Sequence, residues 1–122
     1  MNVQVFGFKD DQDTRKALRF FSERHIAVHF VDLAERPASR GELRRFQERF
    51  GAATLIDRES GRFRALGLHV AGDSPERLVQ RALTEPRLLH VPLVRNGNRV
   101  AVGHALDEWR AWVASERAGT AT

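Results

Sequence analysis

Strand, helix and strand follow one another within the first 32 residues, and that order constrains the fold more than any other feature of the sequence. Residues 2–8 (Asn-Val-Gln-Val-Phe-Gly-Phe) alternate and then run apolar, the pattern of a strand covered on both faces. Lys9-Asp10-Asp11-Gln12-Asp13-Thr14 breaks it with residues that cap helices, and Ala17, Leu18, Phe20 and Phe21 then recur at helical spacing through about Arg24. A second β-rich run spans 26–32. A single helix crossing between two strands makes a βαβ unit, which predicts that the strands are parallel.

The middle of the chain is helical. Ser39-Arg40-Gly41-Glu42 has the form of a capping box, with Leu43, Phe46 and Phe50 on one apolar face and Gly51 as the stop. Residues 52–73 have weaker periodicity, with Leu55-Ile56 and Leu66-Gly67-Leu68 as short buried anchors. Asp73-Ser74-Pro75-Glu76 opens another helix, with proline where its missing N–H costs nothing. Leu78, Val79, Ala82 and Leu83 form its buried stripe, and Pro86 ends it.

The last third returns to strands. Two β-rich runs, 91–94 and 99–102, flank Arg95-Asn96-Gly97-Asn98, and Asn-Gly between such runs predicts a tight hairpin. Leu106, Trp109, Trp112 and Val113 then share one face of a C-terminal helix, with both tryptophans expected in the core. The order β-α-β, helical insertion, β-β-α predicts an α/β thioredoxin-like fold with a four-stranded mixed sheet. Residues 1–117 make one domain with its insertion at about 37–85, and 118–122 a frayed tail.

Composition removes whole classes of chemistry. The chain has 122 residues and no cysteine, which excludes disulfides, thiolate nucleophiles and cysteine-ligated metal. Its 20 basic and 16 acidic residues are interspersed and give a net charge of +4, which argues against a dedicated nucleic-acid binder. The start lacks a signal peptide's basic region and apolar stretch, and no apolar run approaches the ~20 residues that span a bilayer. A cytoplasmic location, with no membrane contact, is the expectation.

The residues carrying these elements resemble the arsenate reductase (ArsC)/Spx family of bacterial thioredoxin-fold proteins. That family follows its first strand with an aromatic-Gly pair, a loop holding the catalytic cysteine, and a helix with basic residues and alanine; here the stretch is Phe6-Gly7-Phe8 through Arg15-Lys16-Ala17. Leu55-Ile56 through Phe63-Arg64-Ala65-Leu66-Gly67-Leu68, then Pro86-Arg87-Leu88-Leu89-His90-Val91-Pro92-Leu93, and finally Val102-Gly103 with Asp107-Glu108-Trp109 continue the resemblance over roughly residues 2–113. It implies a cis peptide bond at Val91-Pro92. The departures fall on the chemistry. Asp11 stands at the cysteine position, Val91 where an arginine precedes the proline, and Asp57 near a further family arginine.

Asp10, Asp11 and Asp13 admit two readings: they cap the following helix, or they hold a divalent cation. Asp11-Gln12-Asp13-Thr14 also resembles an Asp-x-Asp-x-Thr phosphatase nucleophile, but its threonine is one position early and the chain is too short for that fold. His25 and His29 are four apart, yet a strand begins between them, so they do not share a helix face. His69, His90 and His104 are scattered, with His90 placed to line the ancestral cleft. No cofactor or metal is expected.

Arg40, Arg44, Arg45 and Arg49 in the inserted helix are the candidate partner-binding residues; the alternative is a solvated face with small i,i+3 or i,i+4 ion pairs. Because Asp11, Val91 and Pro92 form a degenerate site, the sequence reads as a non-catalytic binding or regulatory module of the bacterial cytoplasm. Spx-like relatives contact RNA polymerase, so the resemblance implies a protein partner in the transcription machinery. The alternatives are an arsenate reductase-like enzyme using an external thiol such as glutathione, and a stability-only domain that partners a second copy of itself. Neither the partner's identity nor the oligomeric state is written in the sequence.

Overall fold

A computed structural model describes residues 1–120. Four strands form one mixed sheet: β1 (Val3–Gly7), β2 (Val28–Asp32), β3 (Leu93–Asn96) and β4 (Arg99–Val102). Their spatial order is β2-β1-β3-β4. β1 pairs in parallel with β2, Val3 opposite Val28, as the βαβ unit requires. It pairs antiparallel with β3, which in turn pairs antiparallel with β4. The fold class expected from the element order is the one observed.

The central strand separates two cores because side chains alternate across a pleated sheet. Val3 and Val5 point to one face, where α1 (Gln12–Glu23) and α6 (Leu106–Thr120) cover them with Phe20, Phe21, Trp109 and Trp112. Trp109 is fully buried, 5.6 Å from Phe20 and 6.0 Å from Phe21 between ring centroids. Phe6 points to the other face, into a cluster with Leu33, Leu43, Phe46, Leu78 and Leu88. That cluster is built largely by the segment between β2 and β3. It contains α2 (Arg40–Phe50), α3 (Gly61–Ala65), α4 (Leu68–Ala71), α5 (Pro75–Ala82) and two short 3-10 turns, Ala53–Leu55 and Pro86–Leu88.

Local chemistry sets these boundaries. Ser39 accepts the Glu42 N–H while the Glu42 carboxylate accepts the Ser39 N–H, a complete capping box for α2. Ser74 caps α5 and Pro75 occupies its first turn. The weak periodicity of 52–73 resolves into helices too short to repeat a face, α3 and α4 having five and four residues.

Two boundaries differ from the sequence reading. In the hairpin Asn96 pairs with Arg99, so the two-residue loop is Gly97-Asn98, with Gly97 at φ 60° and no positive φ at Asn98. Glycine at the first loop position is the II′ arrangement rather than the I′ turn that Asn-Gly suggests. At the C-terminus α6 continues through Thr120, where fraying was expected from 118. The remainder of that expected tail, 121–122, lies outside the described residues. The Val91-Pro92 bond is cis.

Candidate functional site

β1 ends under a short loop, Phe8 to Asp11, that delivers the chain into α1. This loop, the 57–62 segment and the 87–91 segment enclose a cleft of about 290 Å³. Its geometry begins with Asp11, the residue before the first turn of α1. One carboxylate oxygen of Asp11 accepts the Thr14 N–H at 2.7 Å and the Thr14 hydroxyl at 2.8 Å. The Thr14 hydroxyl, completely buried, accepts the Phe8 N–H at 3.4 Å. This arrangement depends on Gly7: a Cβ there would stand 2.3 Å from the Thr14 hydroxyl oxygen. Asp11 is therefore a helix cap locked to a buried threonine, with the helix's positive end satisfied from within the chain.

The other two aspartates point elsewhere. Asp10 makes a two-point ion pair with Arg87, at 2.9 and 3.2 Å, and Arg87 lies 3.8 Å over the Phe8 ring. The hydrogen bonds from Arg87 hold the Asp10 carboxyl below its ordinary range. Asp13 lies 3.8 Å from Lys16, one turn on. The three carboxylates thus have three separate partners, and among the described residues no group of three His, Cys, Asp or Glu is arranged to hold a metal. Of the two sequence readings, capping describes Asp11; Asp10 is instead a strut across the cleft.

Both arginines that line the cleft are paired within the chain. Arg62 forms a two-point pair with Glu85, at 2.8 and 3.0 Å, and these bonds hold Glu85 below its ordinary range. Lys9, on the loop itself, is mostly exposed and sits 3.8 Å from Asp32. Asp57 lines the cleft, accepting the Glu59 N–H, and Val91 contributes an apolar wall. Asp11, Asp57 and Val91 all line this cleft. Pro92 follows Val91 at the cis bond and receives the Gly103 N–H on its carbonyl. His90 is not among the residues lining the cleft; its ring lies over Gly103.

Arg62 and Arg87 are the cleft residues that sequence reasoning missed. Arg87 lies inside the Pro86–Pro92 stretch already singled out, but its partner is 77 residues away, a pairing no local pattern encodes. His25 adopts φ 59° after α1 and His29 lies on β2 beside Gln4, so the two share no face.

The four candidate arginines of α2 do not form one patch. Arg45 and Arg49, a turn apart, line a groove against the β3–β4 hairpin and α6, while exposed Arg40 and Arg44 lie outside it. Arg45 donates to the Asn98 side chain at 2.5 Å. The expected ion pairs within the helix are absent among the described residues. Glu42 instead pairs at two points with Arg36, before the helix, and those hydrogen bonds pull its carboxyl down to about 2.

Comparison with known proteins follows the same lines. The sequence model of the ArsC family matches residues 6–112. The solved structure of the YffB protein superposes with a TM-score of 0.81 at 25% identity, over 90% of this chain and 97% of that one. An arsenate reductase from Vibrio cholerae aligns with a TM-score of 0.75 at 19% identity, covering 88% of this chain and 94% of its own. An arsenate reductase (ArsC) related protein from Brucella melitensis aligns with a TM-score of 0.62 at 21% identity, over 93% and 95%. These likenesses extend over almost the whole of each chain. Among curated proteins, none matches the sequence.

Proposed function

Since the chain belongs to the ArsC family, we propose that it is a non-catalytic member of it, a binding or regulatory module of the bacterial cytoplasm whose partner is a protein. The observation that carries this reading is the seat of Asp11. By the resemblance, a catalytic cysteine would occupy that position, its thiolate favoured by the helix N-terminus. Here a carboxylate takes the Thr14 N–H and hydroxyl instead.

An oxyanion entering this cleft needs free donors and a free cation. It meets Asp10, Asp11 and Asp57, while Arg62 and Arg87 are each held at two points by a carboxylate. Two like charges at ~4 Å repel by about 1 kcal/mol even in water, and by several times more in a partly buried cleft. No protein-bound arseno-thiol can form, because the chain supplies no sulfhydryl. Among the described residues no helix is long and apolar enough to cross a membrane.

The test is turnover. With arsenate, glutathione and glutaredoxin supplied, reduction proceeds at the protein-free rate. Turnover well above that rate overturns the reading and makes the external-thiol enzyme the correct one.

A further inference from the structure

A second concavity, a groove of about 590 Å³ against about 290 Å³ for the cleft, is bounded by α2, the tip of the β3–β4 hairpin and the middle of α6. Three guanidiniums converge on it from two elements: Arg45 and Arg49 from α2, and Arg99 from the first position of β4. Arg49 and Arg99 are exposed and Arg45 is half-buried. Among the described residues none of the three has a carboxylate within ion-pair distance, in contrast with Arg36, Arg62 and Arg87. Arg45 is nonetheless fixed in place by its hydrogen bond to Asn98 in the hairpin loop. A guanidinium held by a neutral amide keeps its full charge and its remaining donors.

The floor of the groove is apolar. Phe50 is half-buried, and Val100 and Trp112 are 8% and 3% exposed. Glu48 and Glu108 stand exposed on the walls. Three arginines without a carboxylate partner, one of them fixed by Asn98, over an apolar floor match an anionic partner that also brings apolar side chains. The two wall carboxylates repel a nucleic acid's continuous phosphate chain while leaving room for carboxylates spaced along a peptide. A second copy of this chain, also at +4, is a poor source of that charge.

We infer that this groove docks an acidic segment of the partner protein, with carboxylates on Arg45, Arg49 and Arg99 and apolar side chains against Phe50, Val100 and Trp112. The inference rests on the binding-module reading and assigns its interface.

The probe is a fluorescein-labelled ten-residue peptide in which Glu-Glu pairs alternate with Leu-Phe pairs, followed by fluorescence anisotropy. The wild-type protein binds it saturably, with affinity falling as salt rises. Affinity drops at least tenfold in both R49E/R99E and R49Q/R99Q, and at least tenfold for the peptide with Gln in place of Glu. Both variants alter exposed side chains, and circular dichroism checks their fold. Absence of saturable binding, binding indifferent to the variants, or tighter binding of a ten-nucleotide oligo-dT would each overturn the assignment. Arsenate turnover measured on the same preparation separates the two levels. A failed groove with turnover at the protein-free rate refutes the interface alone, whereas turnover above it refutes the binding-module reading.

Discussion

Replacing Asp11 with alanine removes the acceptor on which the start of α1 depends, and its cost can be worked from two contacts. The first is the cap to the Thr14 N–H at 2.7 Å, whose loss costs about 0.5–2 kcal/mol. The second is the bond from the Thr14 hydroxyl at 2.8 Å. Thr14 is 0% exposed, so water does not replace that acceptor, and an orphaned buried hydroxyl costs about 1–3 kcal/mol. The two losses fall on one residue and are not fully additive, giving about 2–4 kcal/mol. For a chain of this length that lowers the melting midpoint by roughly 10 °C. Asp11→Asn, which keeps one accepting oxygen, loses about half as much. In Asp11→Ala/Thr14→Val the orphaned hydroxyl is gone, so the double variant is less destabilised than the single losses sum to. Chemical denaturation monitored by circular dichroism measures all of these. The reasoning fails if Asp11→Ala costs under about 0.5 kcal/mol, or if Asp13→Ala, which removes a first-turn carboxylate and its contact of 3.8 Å to Lys16, costs as much.

Acid should weaken the fold through Glu42. Its folded carboxyl sits at about 2, below the ordinary 4.5, so the stability it contributes is complete above about 4.5 and is lost as pH falls toward 2. Arg36 is half exposed, so screening reduces the contribution to on the order of 1–2 kcal/mol. Glu42→Gln flattens the stability–pH curve in that window, leaving the smaller slopes of Asp10 and Glu85, which are shifted in the same direction. Gly7→Ala drives a methyl to 2.3 Å from the buried Thr14 hydroxyl and costs at least about 3 kcal/mol by denaturant titration, a loss that Thr14→Ala partly relieves in the double variant.

Much of this structure is legible in the sequence, and the reason differs by region. β1 reads correctly because a strand buried on both faces leaves an apolar run, and α2 and α5 because Ser39 and Ser74 place complete caps at their starts. The hairpin is legible as a turn but not in its register. Asn96 is used as a strand residue, and the glycine's positive φ falls at the first loop position. α3 and α4 are hidden because five and four residues cannot display a helical period. At the cleft, Asp11, Val91 and Asp57 are visible as departures from a family pattern. The ion pairs that occupy the cleft's two arginines are not, since Arg62–Glu85 and Arg87–Asp10 span 23 and 77 residues. The arginines of α2 are visible as a cluster, but a helix distributes four of them around its circumference. Only the tertiary fold brings Arg99 beside Arg45 and Arg49.

The central claim is that the seat an oxyanion would need at the start of α1 is filled by this chain's own carboxylate. A titration with arsenate, and separately with phosphate, followed by ¹⁵N amide shifts of residues 9–15, addresses that seat directly. The account predicts no saturable movement of the Asp11, Asp13 or Thr14 amides at millimolar anion. Saturable shifts confined to those amides, with a matching heat in calorimetry, would contradict it.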